Sequence, residues 1–175
     1  MMARLPIKTY LLALAATAML AGGVFAQTAP QVFPPSSTGL PIPRFVSLKG
    51  DPVNLRAGPG VRYPVRWVYV RPGLPLMVTG EFEYWRRVRD PDGAEGWIHK
   101  SLLRGTRTAM LREGLHLLRS EPRADAPVAA RAEAGVIAEL AACKGGWCRL
   151  ETEGAAGWVE RGAIYGALPE EEFER

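Results

Sequence analysis

The sequence predicts an all-β protein built as two small barrels in tandem, and three observations carry that reading. The first is composition: 19 Gly, 15 Pro and five each of Trp, Tyr and Phe in 175 residues describe a globular, turn-rich chain, neither disordered nor fibrous. The second is pattern, with short alternating apolar runs broken by Gly, Pro and Asp. The third is an internal repeat. Leu55 and Arg56 recur as Leu118 and Arg119, Pro59 and Pro64 as Pro122 and Pro127, Gly73 as Gly135, Trp85 as Trp147, and Gly96-Trp97 as Gly157-Trp158. The spacing shrinks by one residue at a time, as loop deletions would make it. Two units follow, Arg44–Gly105 and Thr106–Leu168. A Rossmann or (β/α)8 enzyme of the usual size does not fit in what remains.

The N-terminus reads as an export signal. Arg4 and Lys8 precede an Ala/Leu core from Leu11 to Leu20, and the small residues Val24 and Ala26 suit cleavage after Ala26. The apolar run from Leu11 to Ala26 is shorter than the roughly 20 residues a membrane-spanning helix needs, so the mature chain is expected to have no span. With no Cys before Cys143, lipid attachment at this site is not expected. Arg4 and Lys8 supply two of the formal +4, and the remaining charge of about +2 gives no reason to expect nucleic-acid binding. The expected location is the periplasm.

Gln27–Pro43 carries five prolines, Ser36, Ser37, Thr38 and Gly39, and no charge, which predicts an extended tether that cannot bury enough surface to fold. Recognition of this segment as a polyproline ligand is the functional alternative.

The first unit reads as VNLR, RWVYV, LMVTGEF, YWRRVR and EGWIH, five strands separated by the turn AGPG and by Arg71-Pro72-Gly73 and Asp90-Pro91-Asp92-Gly93. Ser101-Leu102-Leu103 looks like one short helical turn. Five strands in so short a unit suggest a small closed barrel. In the second unit VAARAEAG and IAELAAC are Ala-rich and favour helix by propensity, but the matched Gly and Pro positions overrule that. Pro169–Arg175 closes the chain as an acidic tail expected to fray.

Export places Cys143 and Cys148 where disulfides persist. In ACKGGWC they flank turn residues and would face each other across a hairpin, a local staple worth about 2 kcal/mol of chain entropy. A redox or metal role is weaker, because Cys-x4-Cys lacks the usual spacing and His99 and His116 are distant in sequence.

Alternation puts Trp85, Arg87 and Arg89 on one face of their strand and Arg86, Val88 and Asp90 on the other. With Val88 inward, Trp85 points outward beside two guanidinium groups, a flat apolar platform with adjacent charge, suited to stacking on peptide or sugar and pairing with a carboxylate. Trp147 and Arg149 repeat this in the second unit. The structural alternative is that these Trp cover a barrel end or the contact between units. The first unit carries eight aromatics with 11 basic and six acidic residues, against three aromatics and eight of each charge in the second. Tyr63, Trp67, Tyr69, Tyr84 and Trp85 exceed what so small a core can hide, so a recognition surface is expected there. Trp97 and Trp158 are expected to pack, and Arg56 and Arg119 to pair with local acids.

The series NLRAGPG, Gly73, W-x-x-V and G-x-x-GWI resembles the bacterial SH3-like domain, a small all-β barrel of exported bacterial proteins. The second unit is similar but degenerate, with Ser120 and Glu121 in place of the Ala-Gly of the turn. The chain as a whole resembles small exported Gram-negative proteins with two such domains. The resemblance implies two tandem SH3-like barrels and non-catalytic binding of peptidoglycan peptide or an envelope protein, often as a targeting module beside a wall hydrolase. Two His and two expectedly bonded Cys leave no nucleophile or metal set without assembly across units, so neither catalysis nor a cofactor or metal is expected, although a pair among the 18 acids stays open. The alternatives are a structural part of an envelope complex, or a small hydrolase or inhibitor. Oligomeric state is not set by the sequence.

Overall fold

A computed structural model describes residues 37–174. The expected signal sequence and the tether as far as Ser36 lie outside the described residues. Two sheets of the same plan make up the rest. The first contains β1 (Arg44–Leu48), β2 (Val53–Arg56), β3 (Val65–Tyr69), β4 (Pro75–Phe82), β5 (Trp85–Arg89), β6 (Glu95–His99), a 3-10 turn at Lys100–Leu102 and β7 (Leu103–Arg104). The second contains β8 (Thr108–Leu111), β9 (Leu115–Arg119), β10 (Val128–Glu133), β11 (Ile137–Lys144), β12 (Trp147–Glu151), β13 (Ala156–Glu160), a 3-10 turn at Arg161–Ala163, β14 (Ile164–Tyr165) and β15 (Phe173–Glu174).

Spatial order is β3-β2-β6-β5-β4-β1-β7 in one and β10-β9-β13-β12-β11-β8-β14 in the other, the same path strand for strand. The repeat in sequence is thus a repeat in topology. The Ala-rich runs are strands, as the matched Gly and Pro positions required. Two strands of the first unit go beyond the expected five, RFVSL, whose buried Ser47 interrupts an apolar pattern, and the two-residue β7; the second unit has their counterparts β8 and β14 and adds β15. Ser47 tolerates burial because its hydroxyl donates to the carbonyl of Thr106 at 2.8 Å.

Each barrel has its own core. Leu48, Leu55, Leu76, Val78, Val88 and Ile98 fill the first, and Leu111, Leu140, Leu150 and Val159 the second. Cys143 and Cys148 are direct cross-strand partners on β11 and β12, joined by a disulfide and fully buried in the second core. The bond is a core element as well as a staple.

The Gly-Trp pair of each repeat has a steric cause. A Cβ on Gly96 would stand 2.6 Å from Leu55 Cγ and 2.7 Å from the Arg56 carbonyl, and one on Gly157 would stand 2.8 Å from Leu118 Cβ. Absence of a side chain lets β6 cross β2, and β13 cross β9, in close contact.

Arg56 and Arg119 correct the expectation of surface ion pairs. Arg56 Nη1 donates to the carbonyls of Val61 and Tyr63 at 3.0 and 2.9 Å, and Arg119 Nη1 donates to that of Ala126 at 3.0 Å. In both barrels the arginine after the strand Leu ties down the loop that follows.

The barrels share a seam. Tyr165 from the second donates its hydroxyl to the Arg89 carbonyl at 2.7 Å and meets Phe45 edge-on at 5.1 Å, while Thr108 Oγ1 donates to the Gly73 carbonyl at 2.7 Å. Met110 and Ile137 pack against the core of the first barrel. Burial raises the Tyr165 phenol to about 12, so it stays a donor.

Both flanking segments are more ordered than expected. Ser37 Oγ and Thr38 N–H donate to Glu81 Oε2 at 3.0 Å each, so the end of the tether is docked on the first barrel. At the other end Phe173 pairs with Cys143 on β11, and Arg107 grips the Glu171 carboxylate. The closing segment, taken from its charge to fray, is a strand anchored by Phe173 and one ion pair.

Candidate ligand-binding face

Outward residues of β5 and β6 pair directly: Trp85 with His99, Arg87 with Trp97, and Arg89 with Glu95. Val88 and Arg86 face inward, as alternation required. Arg86 is accommodated there because its Nη1 donates to the carbonyls of Glu83 and Trp85 and its Nε lies 3.3 Å from Glu81 Oε1.

One end of this face is aromatic. His99 meets the Trp85 ring edge-on at 5.4 Å and the Tyr84 ring at 6.1 Å, and the Lys100 ammonium lies 4.9 Å from the Tyr84 centroid. Tyr84 is 59% exposed and Phe82, the cross-strand partner of Trp85, is 50% exposed. Large apolar side chains this open are suited to contact. His99 Nδ1 lies 2.8 Å from Ser101 Oγ and 3.3 Å from the Ser101 backbone N–H, contacts that fix the imidazole beside the two rings.

The other end is already paired. Arg87 Nη2 and Arg89 Nη2 lie 2.6 and 2.5 Å from the two oxygens of Glu95, and these hydrogen bonds, Arg89's first, hold its carboxyl below the usual range. Two guanidinium groups on one carboxylate leave a single excess positive charge. The arginines expected to receive a ligand carboxylate therefore carry an internal one, and Lys100 is the cation beside the rings.

The remaining expected contact residues separate. Tyr69 is corrected outright: it is 5% exposed and its hydroxyl donates to Asp90 Oδ2 at 2.9 Å inside the barrel. It shares the register face of Val53, so alternation turns it into the core. Burial and the bond to Asp90 push its phenol well above the ordinary value. Trp67, two residues earlier on the same face, is 60% exposed, on the last strand of the sheet. Tyr63 lies on the loop held by Arg56, with its ring against Gly58 and the Arg62 guanidinium 5.3 Å from its centroid. The structure thus gathers Tyr84, Trp85, Arg87 and Arg89 on one face and leaves Tyr63 and Trp67 on another part of the barrel. Phe82, His99 and Lys100 were not expected. Alternation in LMVTGEF and EGWIH carried a signal for the first two, but their cross-strand pairing with Trp85 depends on register.

The sequence profile described as bacterial SH3 domain matches residues 49–105 and 114–166, more than half of the chain. The chain belongs to the bacterial SH3 domain family. Its two SH3 domains are the two sheets described above, which accounts for the shared strand order and for the Gly-Trp pair in each. Among solved structures the chain is similar to NlpC2 from Trichomonas vaginalis, with 14% identity and a TM-score of 0.35 over 75% of this chain and 51% of that one. It is also similar to NlpC1 from the same organism, with 14% identity and a TM-score of 0.33 over 79% and 51%. A third is an NlpC/P60 family protein from Bacillus cereus, with 11% identity and a TM-score of 0.32 over 70% and 57%. The chain spans about half the length of these proteins. No curated protein matches. Among the described residues no helix is long and apolar enough to cross a membrane, and no group of three or more His, Cys, Asp or Glu is placed to hold a metal.

Proposed function

We propose that this protein is an exported, non-catalytic binding module of the cell envelope that docks on peptidoglycan peptide through the first SH3 domain. The observation that carries the reading is the outward cluster of Phe82, Tyr84, Trp85, His99 and Lys100, rings with an imidazole beside them and an ammonium over the Tyr84 ring. Rings supply flat apolar contact to a peptide stem, and Lys100 pairs with a peptide carboxylate. The signal-like N-terminus supports periplasmic delivery after cleavage behind Ala26, with the Pro-rich segment as tether.

The test is co-sedimentation of the processed chain, residues 27–175, with isolated peptidoglycan sacculi, beside Trp85→Ala and Tyr84→Ala. Retention of the parent that falls about tenfold in either variant supports the face as the site. Full retention of both variants removes the site, and no retention of the parent moves the assignment to an envelope protein partner. Release of wall fragments by the purified chain would overturn the non-catalytic part of the reading.

A further inference from the structure

The two domains can be superposed residue by residue through their registers. In the first, Leu55 faces Trp67 and Val53 faces Tyr69. In the second, Leu118 faces Ala130 and His116 faces Ala132. Each pair of strands carries its bulge at the same place, after Arg56–Val65 and Arg119–Val128. Ala130 and Ala132 therefore stand where the first domain has Trp67 and Tyr69. Asp90, which accepts the Tyr69 hydroxyl, has Thr152 as its counterpart: the Asp90 N–H donates to the Ala94 carbonyl and the Thr152 N–H to that of Ala155. The second domain has thus lost both the ring and the carboxylate that anchors it.

What the loss leaves is a pocket of about 410 Å³ whose walls include Leu118, Ala130, Ala132, Ala138, Leu150 and Thr152. A volume in this range, with buried Leu111, Leu118, Ala138 and Leu150 as its floor and exposed Arg131, Glu133 and Thr152 at its rim, is that of a ligand site. The fold itself indicates the occupant, because the first domain fills the same space with a phenol. Thr152 Oγ1 donates its proton to the Ala155 carbonyl at 3.1 Å and keeps its lone pairs for a phenol O–H, at an exposed position where Asp90 in the first domain is buried. In the first domain that ring arrives on an extended strand at the sheet edge. Here β10, the matching edge strand, borders the mouth with Arg131 and Glu133, charges of both signs beside unpaired strand edge.

We propose that the second SH3 domain is a pocket for a tyrosine side chain presented on an extended peptide. This site is separate from the Trp85 face, and its occupancy does not depend on that assignment.

The experiment follows the alanine methyl signals of the processed chain while acetyl-Gly-Tyr-Gly-amide, its Tyr→Ala analogue and p-cresol are titrated. The tyrosine peptide is expected to shift Ala130, Ala132 and Ala138, with the alanine peptide weaker by about tenfold or more. Ala132→Tyr, which refills the space as the first domain does, is expected to abolish the shifts and raise Tm. If that variant does not fold, Ala138→Leu, which restores the counterpart of Leu76 on the opposite wall, is expected to abolish them too. The proposal is overturned if millimolar tyrosine peptide moves none of these methyls, or if binding is unchanged in the variant that folds. It is equally overturned if p-cresol shifts them and the tyrosine peptide does not, since the site would then take a free phenol.

Discussion

Glu81 is the residue whose protonation the fold should feel most. Its side chain is 1% exposed, and its carboxylate receives Ser37 Oγ and Thr38 N–H at 3.0 Å, Thr38 Oγ1 at 2.9 Å and Arg44 Nη2 at 2.6 Å. Burial alone would raise its pKa, but the hydrogen bonds of Arg44, Thr38 and Ser37 outweigh it and hold the group at about 2, against an ordinary value of 4.5. Because the folded pKa is the lower one, the stabilisation is fully present above about 4.5 and is lost as pH falls towards 2. Each pH unit between the two values corresponds to about 1.4 kcal/mol, so the loss is about 3 kcal/mol. Glu81→Gln should be destabilised by a similar amount at pH 7, and the gap to the parent should close by pH 2. Urea unfolding of both proteins at pH 7, 5, 4, 3 and 2 measures this, the difference cancelling other acids such as Glu95 and Glu171. Parallel stability curves across that range would show that the cluster gives no preferential stabilisation to the charged form, and the reasoning would fail.

Two further outcomes test the packing. Gly96→Ala should cost about 1–3 kcal/mol and Gly157→Ala less, because the added methyl meets backbone oxygen at 2.7 Å in the first domain and 3.0 Å in the second; thermal melts that rank them the other way would contradict the crossing geometry. Replacing Cys143 and Cys148 together by Ala should lower stability by about 2 kcal/mol or more, since it removes the closed loop and two buried sulfur atoms, and an unchanged urea midpoint would refute that role.

Much of the fold was legible because the repeat constrains what single segments leave ambiguous. VAARAEAG alone favours helix, yet its match to the strand before Gly73 places it in β10. The alternation that put Val88 inside also put Trp85 outside. Tyr69 was misplaced by a count of aromatics in which its partner, buried Asp90, played no part; a tyrosine can enter a core when an acceptor waits there. Arg87 and Arg89 looked available because Glu95 is eight and six residues away from them along the chain and becomes their neighbour through the β5–β6 register. The docking of Ser37 and Thr38 could not be read from a proline-rich segment, since it depends on a carboxylate held in place by Arg44 and Arg86.

The arginine that grips the loop after the second strand of each domain separates holding that loop from the identity of its residues. Arg56 and Arg119 take hold of carbonyl oxygens, which every amino acid supplies, so apart from the prolines they share, Pro59 with Pro122 and Pro64 with Pro127, the segments between them and the next strand differ, one carrying Tyr63 and Arg62 and the other Glu121, Arg123 and Asp125. Such a loop can exchange its side chains without surrendering its path. It is a place where new binding sequences can be grafted onto this scaffold, and where duplicated domains can diverge in what they recognise while their barrels stay the same.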